Sequence, residues 1–312
     1  MVASGYVPGI LKRMIRGTNS AGKKKQAGRP EADKYHLESH LKSLVGVVDV
    51  VHDHVLDDLN QYHLKSLVGL VRPLKVHYFG VLRSTNSHAL RMRREGRLFA
   101  PALVVTSQQT AGRGRSGHSW WSRRGSLTAT WVLPVEEAYA PHQLSLIVGL
   151  ALRAACVEMA GTDDIQLKWP NDVVCHGLKL AGILCERSEG VDLVGIGLNL
   201  NLSDACIPLS LRGSVVSLSE LAGRQFDINV AIATITGHLK RVLLGRTSHP
   251  FATFLQDYRK CDALLGQQIS VKTESKPGDV CGECEGIDRQ GELLVRDATG
   301  LHRLISGSVM VR

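Results

Sequence analysis

The segment Gln108-Gln109-Thr110-Ala111-Gly112-Arg113-Gly114-Arg115-Ser116-Gly117-His118-Ser119-Trp120 gathers residues suited to holding an anion. Gly112, Gly114 and Gly117 let other groups approach the backbone closely and make positive φ easy to adopt. Arg113 and Arg115 can fork onto phosphate or carboxylate oxygens, with the N–H groups of Gly112 and Gly114 beside them. Taken alone, the same composition also suits a flexible basic surface loop or an RNA-binding Gly-Arg tract.

Four further blocks accompany it. Ser84-Thr85-Asn86 stands upstream; Lys168-Trp169-Pro170-Asn171-Asp172, Lys179-Leu180-Ala181-Gly182-Ile183-Leu184 and Gly195-Ile196-Gly197-Leu198-Asn199 follow in that order. Together the five resemble the biotin protein ligase family, whose signatures are S-T-N, Q-x-A-G-R-G-R-x-G-R-x-W, K-W-P-N-D, K-(L/V)-x-G-I-L and G-x-G-x-N. The resemblance covers roughly residues 76 to 312.

That resemblance implies an enzyme that uses ATP, with Mg2+, to activate biotin as biotinyl-5′-AMP and passes the biotinyl group to a lysine on the biotin carboxyl carrier domain of a carboxylase. Such chemistry brings two anions together, so cations must neutralise both before a carboxylate oxygen attacks the α-phosphorus in line. Lys179 and Arg115 are the expected catalytic residues. Ser84, Thr85, Asn86 and Gln109 are expected to face the cyclic urea of biotin, and Arg113, Gly114, Arg115 and Lys179 complete the biotin set. Gly112, Arg113, Arg115, Trp120, Asn171, Asp172 and Asn199 are assigned to ATP or the adenylate. Within that set Asn199 reads the adenine edge and Asp172 is the one Mg2+ candidate. The Gly-Arg loop is expected to order over the adenylate and keep water out.

One position departs from the family pattern. His118 stands where a third arginine is usual, and an imidazole is mostly neutral at pH 7; Arg123 and Arg124 are the nearby replacements. A lipoate or octanoyl ligase relative is the competing enzyme, but such relatives use an Arg-x-x-Gly-Gly-Gly type loop and this chain has no triple glycine. A bifunctional ligase and DNA-binding repressor is the other alternative. It would draw on the basic N-terminal extension, where no recognition helix is discernible, and would show salt-sensitive DNA binding.

Positioning these residues calls for an α+β body. Val76–Leu82, Leu103–Ser107, Ser126–Leu133, Ile165–Trp169, Leu180–Glu186 and Leu193–Asn199 read as strands, with a turn at His176-Gly177. Ser84-Thr85-Asn86 offers N-cap side chains for a short helix over Ser87–Glu95 closed by Gly96. His142–Met159 sets Leu144, Ile147, Val148, Ala151, Leu152 and Ala155 on one helical face. Helices are expected again at Ser217–Ala222, Asn229–Leu244 and His249–Tyr258. Short glycine-punctuated strands then imply a small β-barrel. The expectation is a mixed sheet with helices, of the class II synthetase-like kind that biotin ligases carry, over residues 76–262, followed by an SH3-like barrel over 263–312.

Composition fits a globular protein, with 44% hydrophobic and 21% charged residues. The longest apolar stretch, Leu144 to Leu152, stops at Arg153, short of a bilayer span, so no membrane partner is expected. Of the net charge of +9, more than half belongs to the first 75 residues, a basic extension read as a solvated tail. Residues 1 to about 34 read as disordered, and His40–Val48 returns as His63–Val71, two copies being too few for a solenoid. Seven cysteines, an odd number, argue for a reducing, cytoplasmic setting. Cys281 and Cys284 stand at metal-ligand spacing but lack a second pair, and read as free thiols. A homodimer is left open and nucleic acid is not expected.

Overall fold

β-branched and apolar residues dominate the segments that build the main sheet, as strands covered on one or both faces require. In this computed structural model, which describes residues 50–52, 74–135, 137–244, 250–273 and 278–312, the strands are β1 (Val50–His52), β2 (Lys75–Leu82), β3 (Ala102–Gln109), β4 (Gly112–Arg113), β5 (Ser119–Trp120), β6 (Ser126–Pro134), β7 (Ile165–Lys168), β8 (Asp172–Cys175), β9 (Leu178–Ser188) and β10 (Val191–Asn199). The eight-stranded sheet runs β1-β2-β3-β6-β10-β9-β8-β7, and β4 pairs with β5 in a separate ribbon. β2 is parallel to β1 and to β3; the other neighbours are antiparallel. The basic N-terminal segment and the His40–Val48 and His63–Val71 repeat lie outside the described residues.

The helices are α1 (Thr85–Arg94), α2 (Pro141–Ala160), α3 (Leu218–Ala222), α4 (Ile228–Leu244) and α5 (Leu255–Arg259). α2 starts with proline at its first position and ends at Gly161 in the left-handed conformation, φ 71°. Its expected face, including Leu144, Ile147, Val148 and Leu152, is buried, at about 1.5–3 kcal/mol for each large side chain. By length and composition α2 could cross a membrane, but most of its surface is buried in contact with α4 and the sheet. Trp131 of β6 ties that side together, its Nε1 donating to Thr236 Oγ1 at 3.0 Å. On the opposite face, Ala89 and Met92 of α1 pack with Ala102 and Val104 of β3, Val132 of β6 and Leu193 of β10. This cluster covers only part of that face and leaves the glycine-bearing stretches of β9 and β10 open.

The C-terminal strands are β11 (Gln268–Lys272), β12 (Asp279–Ile287), β13 (Leu293–Asp297), β14 (Gly300–Leu304) and β15 (Ser308–Val311). They form an antiparallel sheet of order β14-β13-β12-β11-β15, the expected SH3-like module. Trp169, 2% exposed, fastens it: Nε1 donates to Gly291 O at 3.1 Å. Gly291 has φ +82°, and a Cβ there would stand 3.0 Å from Leu146 Cδ1, so a side chain would lift the turn from α2.

Three local details differ from the sequence reading. β8 was not expected, because Pro170 reads as the end of the preceding strand and leaves Asn171 and Asp172 free; β8 pairs along its whole length with β7, and His176-Gly177 joins it to β9. α1 begins at Thr85, two residues early. The expected helix ending at Tyr258 is a 3-10 turn, Phe251–Phe254, followed by α5.

Candidate active site

Ser84 occupies the N-cap of α1 in extended backbone, yet its hydroxyl makes no capping bond. The acceptor comes from the Gly-Arg loop instead: Thr85 N donates to Gln109 Oε1 at 2.7 Å and Thr85 Oγ1 to the same atom at 3.2 Å. One side chain thus satisfies an otherwise orphaned helix N–H and fixes the start of the loop. Asn86, 3% exposed, is held on both sides of its amide. Its Nδ2 donates to Leu184 O at 3.1 Å and Glu186 Oε2 at 2.9 Å, while Oδ1 accepts from Thr130 Oγ1 at 2.6 Å. Both N–H groups face pure acceptors, so the amide orientation is determined. Gly195 lies against it, and a Cβ there would overlap Asn86 Oδ1.

A second row crosses the sheet. Lys168 pairs with Asp172, Asp172 with Gly182, and Gly182 with Gly197, so all four face one side. The two glycines form a floor under Trp120, whose ring would overlap a Cβ on Gly197. Lys179 stands three residues before Gly182, a spacing that in a regular strand would send it to the other face. The register slips by one residue between Val173 and Val174, so Lys179 rather than Leu180 lies opposite Val174. This bulge brings Lys179 to the face of Asp172, with Nζ 2.7 Å from Asp172 Oδ1 and 5.8 Å from the centroid of the Trp120 ring.

The Gly-Arg loop arches over this floor. Gly112 has no room for a side chain, since a Cβ would overlap Trp120 O. Gly114 N donates to His118 O at 2.7 Å and His118 N to Arg115 O at 2.9 Å, closing the turn. Arg113 is bound by Glu186, its Nη2 donating to Oε1 at 2.7 Å and its Nη1 to Oε2 at 3.3 Å. Arg115 is half-buried, and its guanidinium has no hydrogen-bond or ion-pair partner among the described residues. Burial pulls its pKa down, opposed by the charges of Cys185 and Asp172, although a guanidinium stays protonated. Burial also lowers the pKa of Lys168, with Asp172 opposing and Lys179 adding to the shift. Three cations therefore converge on one carboxylate, two of them poorly hydrated, which is a setting that attracts further negative charge.

The open cavity measures about 630 Å³ and is lined by every expected site residue except Gly112 and Asn199. Gly112 acts by letting the Trp120 backbone approach. Asn199 is 3% exposed and its Nδ2 donates to Lys179 O at 3.0 Å, so it braces the backbone of Lys179. Asn171 lines the cavity but its Nδ2 is engaged by Ile183 O at 2.7 Å. His118 reaches the wall; Arg123 and Arg124 do not.

Four contributors went unassigned in the sequence. Lys168 belongs to a recognised block, where its partnership with Asp172 could have been inferred from a hairpin. Glu186 follows Leu184 at strand spacing, which was the available signal. Lys272 and the Ser306–Val309 turn reach the cavity from the C-terminal sheet, and only the fold brings them there.

Asp172 is the only acidic residue among the described cavity walls, and the described residues hold no cluster of three His, Cys, Asp or Glu able to bind a metal. This donor set suits Mg2+ only as an ion carried on a polyphosphate, with one protein oxygen available.

Residues 78–203 match the Biotin/lipoate A/B protein ligase family and residues 264–312 the Biotin protein ligase C terminal domain. The biotin–(acetyl-CoA-carboxylase) ligase of Paracoccus denitrificans is 32% identical over 225 residues, 70% of this chain and 92% of that protein. Its counterpart in Mycobacterium tuberculosis is 30% identical over 236 residues, 73% of this chain and 85% of that one. Among solved structures, the biotin protein ligase from Aquifex aeolicus in complex with biotin and ATP superimposes with a TM-score of 0.68 at 26% identity, covering 76% of this chain and 99% of the other. With its motif blocks gathered around one cavity and these matches across both sheets, the chain belongs to the biotin protein ligase family.

Proposed function

We propose that this chain is an ATP-dependent biotin–protein ligase that forms biotinyl-5′-AMP and transfers the biotinyl group to a lysine of a carboxylase's biotin carboxyl carrier domain. The observation that carries this reading is the meeting of Arg115, Lys168 and Lys179 around Asp172, beside a slot closed at its other end by neutral polar groups. The neutral end suits a cyclic urea: Asn86 retains one Oδ1 lone pair for a ring N–H, and the Ser84 hydroxyl makes no capping bond.

Lys179, held by Asp172, draws the biotin carboxylate and the α-phosphate together, and Arg115 offers its donors to the phosphate oxygens. The carboxylate oxygen attacks the α-phosphorus and pyrophosphate leaves; the acceptor lysine amine then attacks the anhydride carbonyl, releasing AMP and a proton. Each donor aimed at developing charge contributes on the order of 10²–10³ in rate. When bound, Mg2+ would supply charge neutralisation on the polyphosphate, and Asp172 is the carboxylate that would hold it. Residues 76–262 form the catalytic domain in this proposal, and 263–312 a C-terminal domain that adds Lys272 to the cavity rim.

Incubation with biotin, ATP and a biotin carboxyl carrier domain tests it. Wild type should label the carrier lysine, while Lys179→Ala and Arg115→Ala, checked for folding by circular dichroism, should label it at least a hundredfold more slowly. Unlabelled carrier with wild-type protein, or full labelling by both variants, removes the proposal.

A further inference from the structure

We infer that Glu186 is a positioning residue that couples the biotin-ring end of the site to the Gly-Arg loop; the inference rests on the ligase reading above. Glu186 does not line the cavity, so it acts through its neighbours. It sits on β9 two residues beyond Leu184 and four beyond Gly182, and strand alternation puts all three on the site face. From there one carboxylate serves two elements, α1 and the loop. Oε2 accepts from Asn86 Nδ2 at 2.9 Å, orienting the amide at the neutral end. Oε1 and Oε2 together receive the Arg113 guanidinium at 2.7 and 3.3 Å, holding the loop down at its second residue after Ala111. Arg113 Nη1 also donates to Ser87 Oγ at 3.2 Å, which ties the loop to α1 as well.

The consequence for Arg113 is specific. With both terminal nitrogens on Glu186, it anchors the loop rather than gripping a phosphate, and Arg115 is left as the loop arginine that meets the ligand. Arg113 is 45% exposed and Glu186 29%, so the pair is weakened by salt. Displacing Asn86 and releasing Arg113 are therefore linked events: a ligand that moves the Asn86 amide disturbs the carboxylate that holds the loop.

The test separates this role from general structural support. Glu186→Gln keeps an acceptor for Asn86 but loses the charged bidentate hold on Arg113; Glu186→Ala loses both. Glu186→Gln should release free biotinyl-5′-AMP several-fold faster than wild type with a smaller change in biotin Kd, whereas Glu186→Ala should also weaken biotin about tenfold. Adding Arg113→Ala to Glu186→Gln should raise leakage no further, because the two act as one unit. A readout independent of activity is trypsin cleavage after Arg113 and Arg115, which should be several-fold faster in Glu186→Gln than in wild type at low salt and should converge with it at high salt. Equal cleavage rates at low salt overturn the inference, as do additive effects of the two substitutions on leakage. Failure of wild type to form any adenylate would instead strike the ligase reading, and trypsin cleavage would still decide the role of Glu186.

Discussion

Gly182 of β9 and Gly197 of β10 stand directly opposite one another, and the Trp120 ring lies over both. A Cβ at Gly182 would come 3.3 Å from Trp120 Cζ3, and one at Gly197 would enter the indole. The G-x-G and G-I-L blocks are thus two sides of one surface, flat because neither side has a side chain.

Gly197→Ala should therefore push the indole out of its seat. Overpacking of this kind costs about 1–3 kcal/mol, and the strain falls on the cavity rather than the core. The expected outcome is a shift in tryptophan emission with at least a tenfold loss of biotin-dependent ATP–pyrophosphate exchange. Unchanged emission and exchange would show that the ring does not depend on this floor.

His77 makes stability fall in mild acid. It is 4% exposed, and burial, helped by the positive charges of Lys75, His88 and Arg97, lowers its pKa from 6.5 to about 4. The folded state thus favours neutral imidazole: the contribution is fully present above pH 6.5 and is lost as pH falls towards 4, in total about 3 kcal/mol. Urea midpoints measured from pH 7 to 4 should decline in wild type and decline less in His77→Leu. Parallel curves would show that His77 is not the group responsible.

Asp262 acts in the opposite direction. Burial raises its carboxyl from 3.8 to about 6, against the Leu264 N–H that donates to Oδ1 at 2.9 Å and the charge of Arg259. Its stabilising protonated form is complete below pH 3.8 and is lost as pH rises through 6. Asp262→Asn keeps an oxygen for Leu264 and should gain about 2 kcal/mol over wild type at pH 8, with little difference at pH 4. Thermal melts at both values check it, and a constant offset would contradict it.

Behind the sheet, Asp192 is 2% exposed and receives Arg187 Nε at 2.6 Å and Nη2 at 2.9 Å. Arg187→Ala removes both of these donors from the buried carboxylate and is expected to cost about 3–5 kcal/mol in denaturant titrations. Arg187→Met combined with Asp192→Leu should recover most of the loss. If the double variant is no better than the single one, the arginine's own packing is what matters.

The sequence made the cavity legible where the physics is local. Glycines at alternate positions of Gly195-Ile196-Gly197 announce a bare strand face, and Arg115 beside glycines announces a cation able to fork onto an anion, whatever the fold. Convergence was harder. Lys179 and Gly182 are three apart, an odd spacing that hides their shared face until the bulge is seen. Glu186 went unassigned because its partners, Asn86 and Arg113, are 100 and 73 residues away. Asn199 belongs to a recognised block but turns to a backbone carbonyl, a choice that spacing cannot express. Lys272 depends on how the C-terminal sheet is seated through Trp169 and Gly291, which no short window contains.

The slip between Val173 and Val174 makes backbone length, and not only side-chain identity, a determinant of the chemistry. Inserting one residue between Val173 and Val174 would give Leu180 a partner, leave an even ladder in this hairpin and rotate the ammonium of Lys179 to the reverse side of the sheet, with the lysine itself still encoded. Sequence change in this family can therefore abolish ligation by gaining a single spacer, even when every residue of the reaction centre is retained.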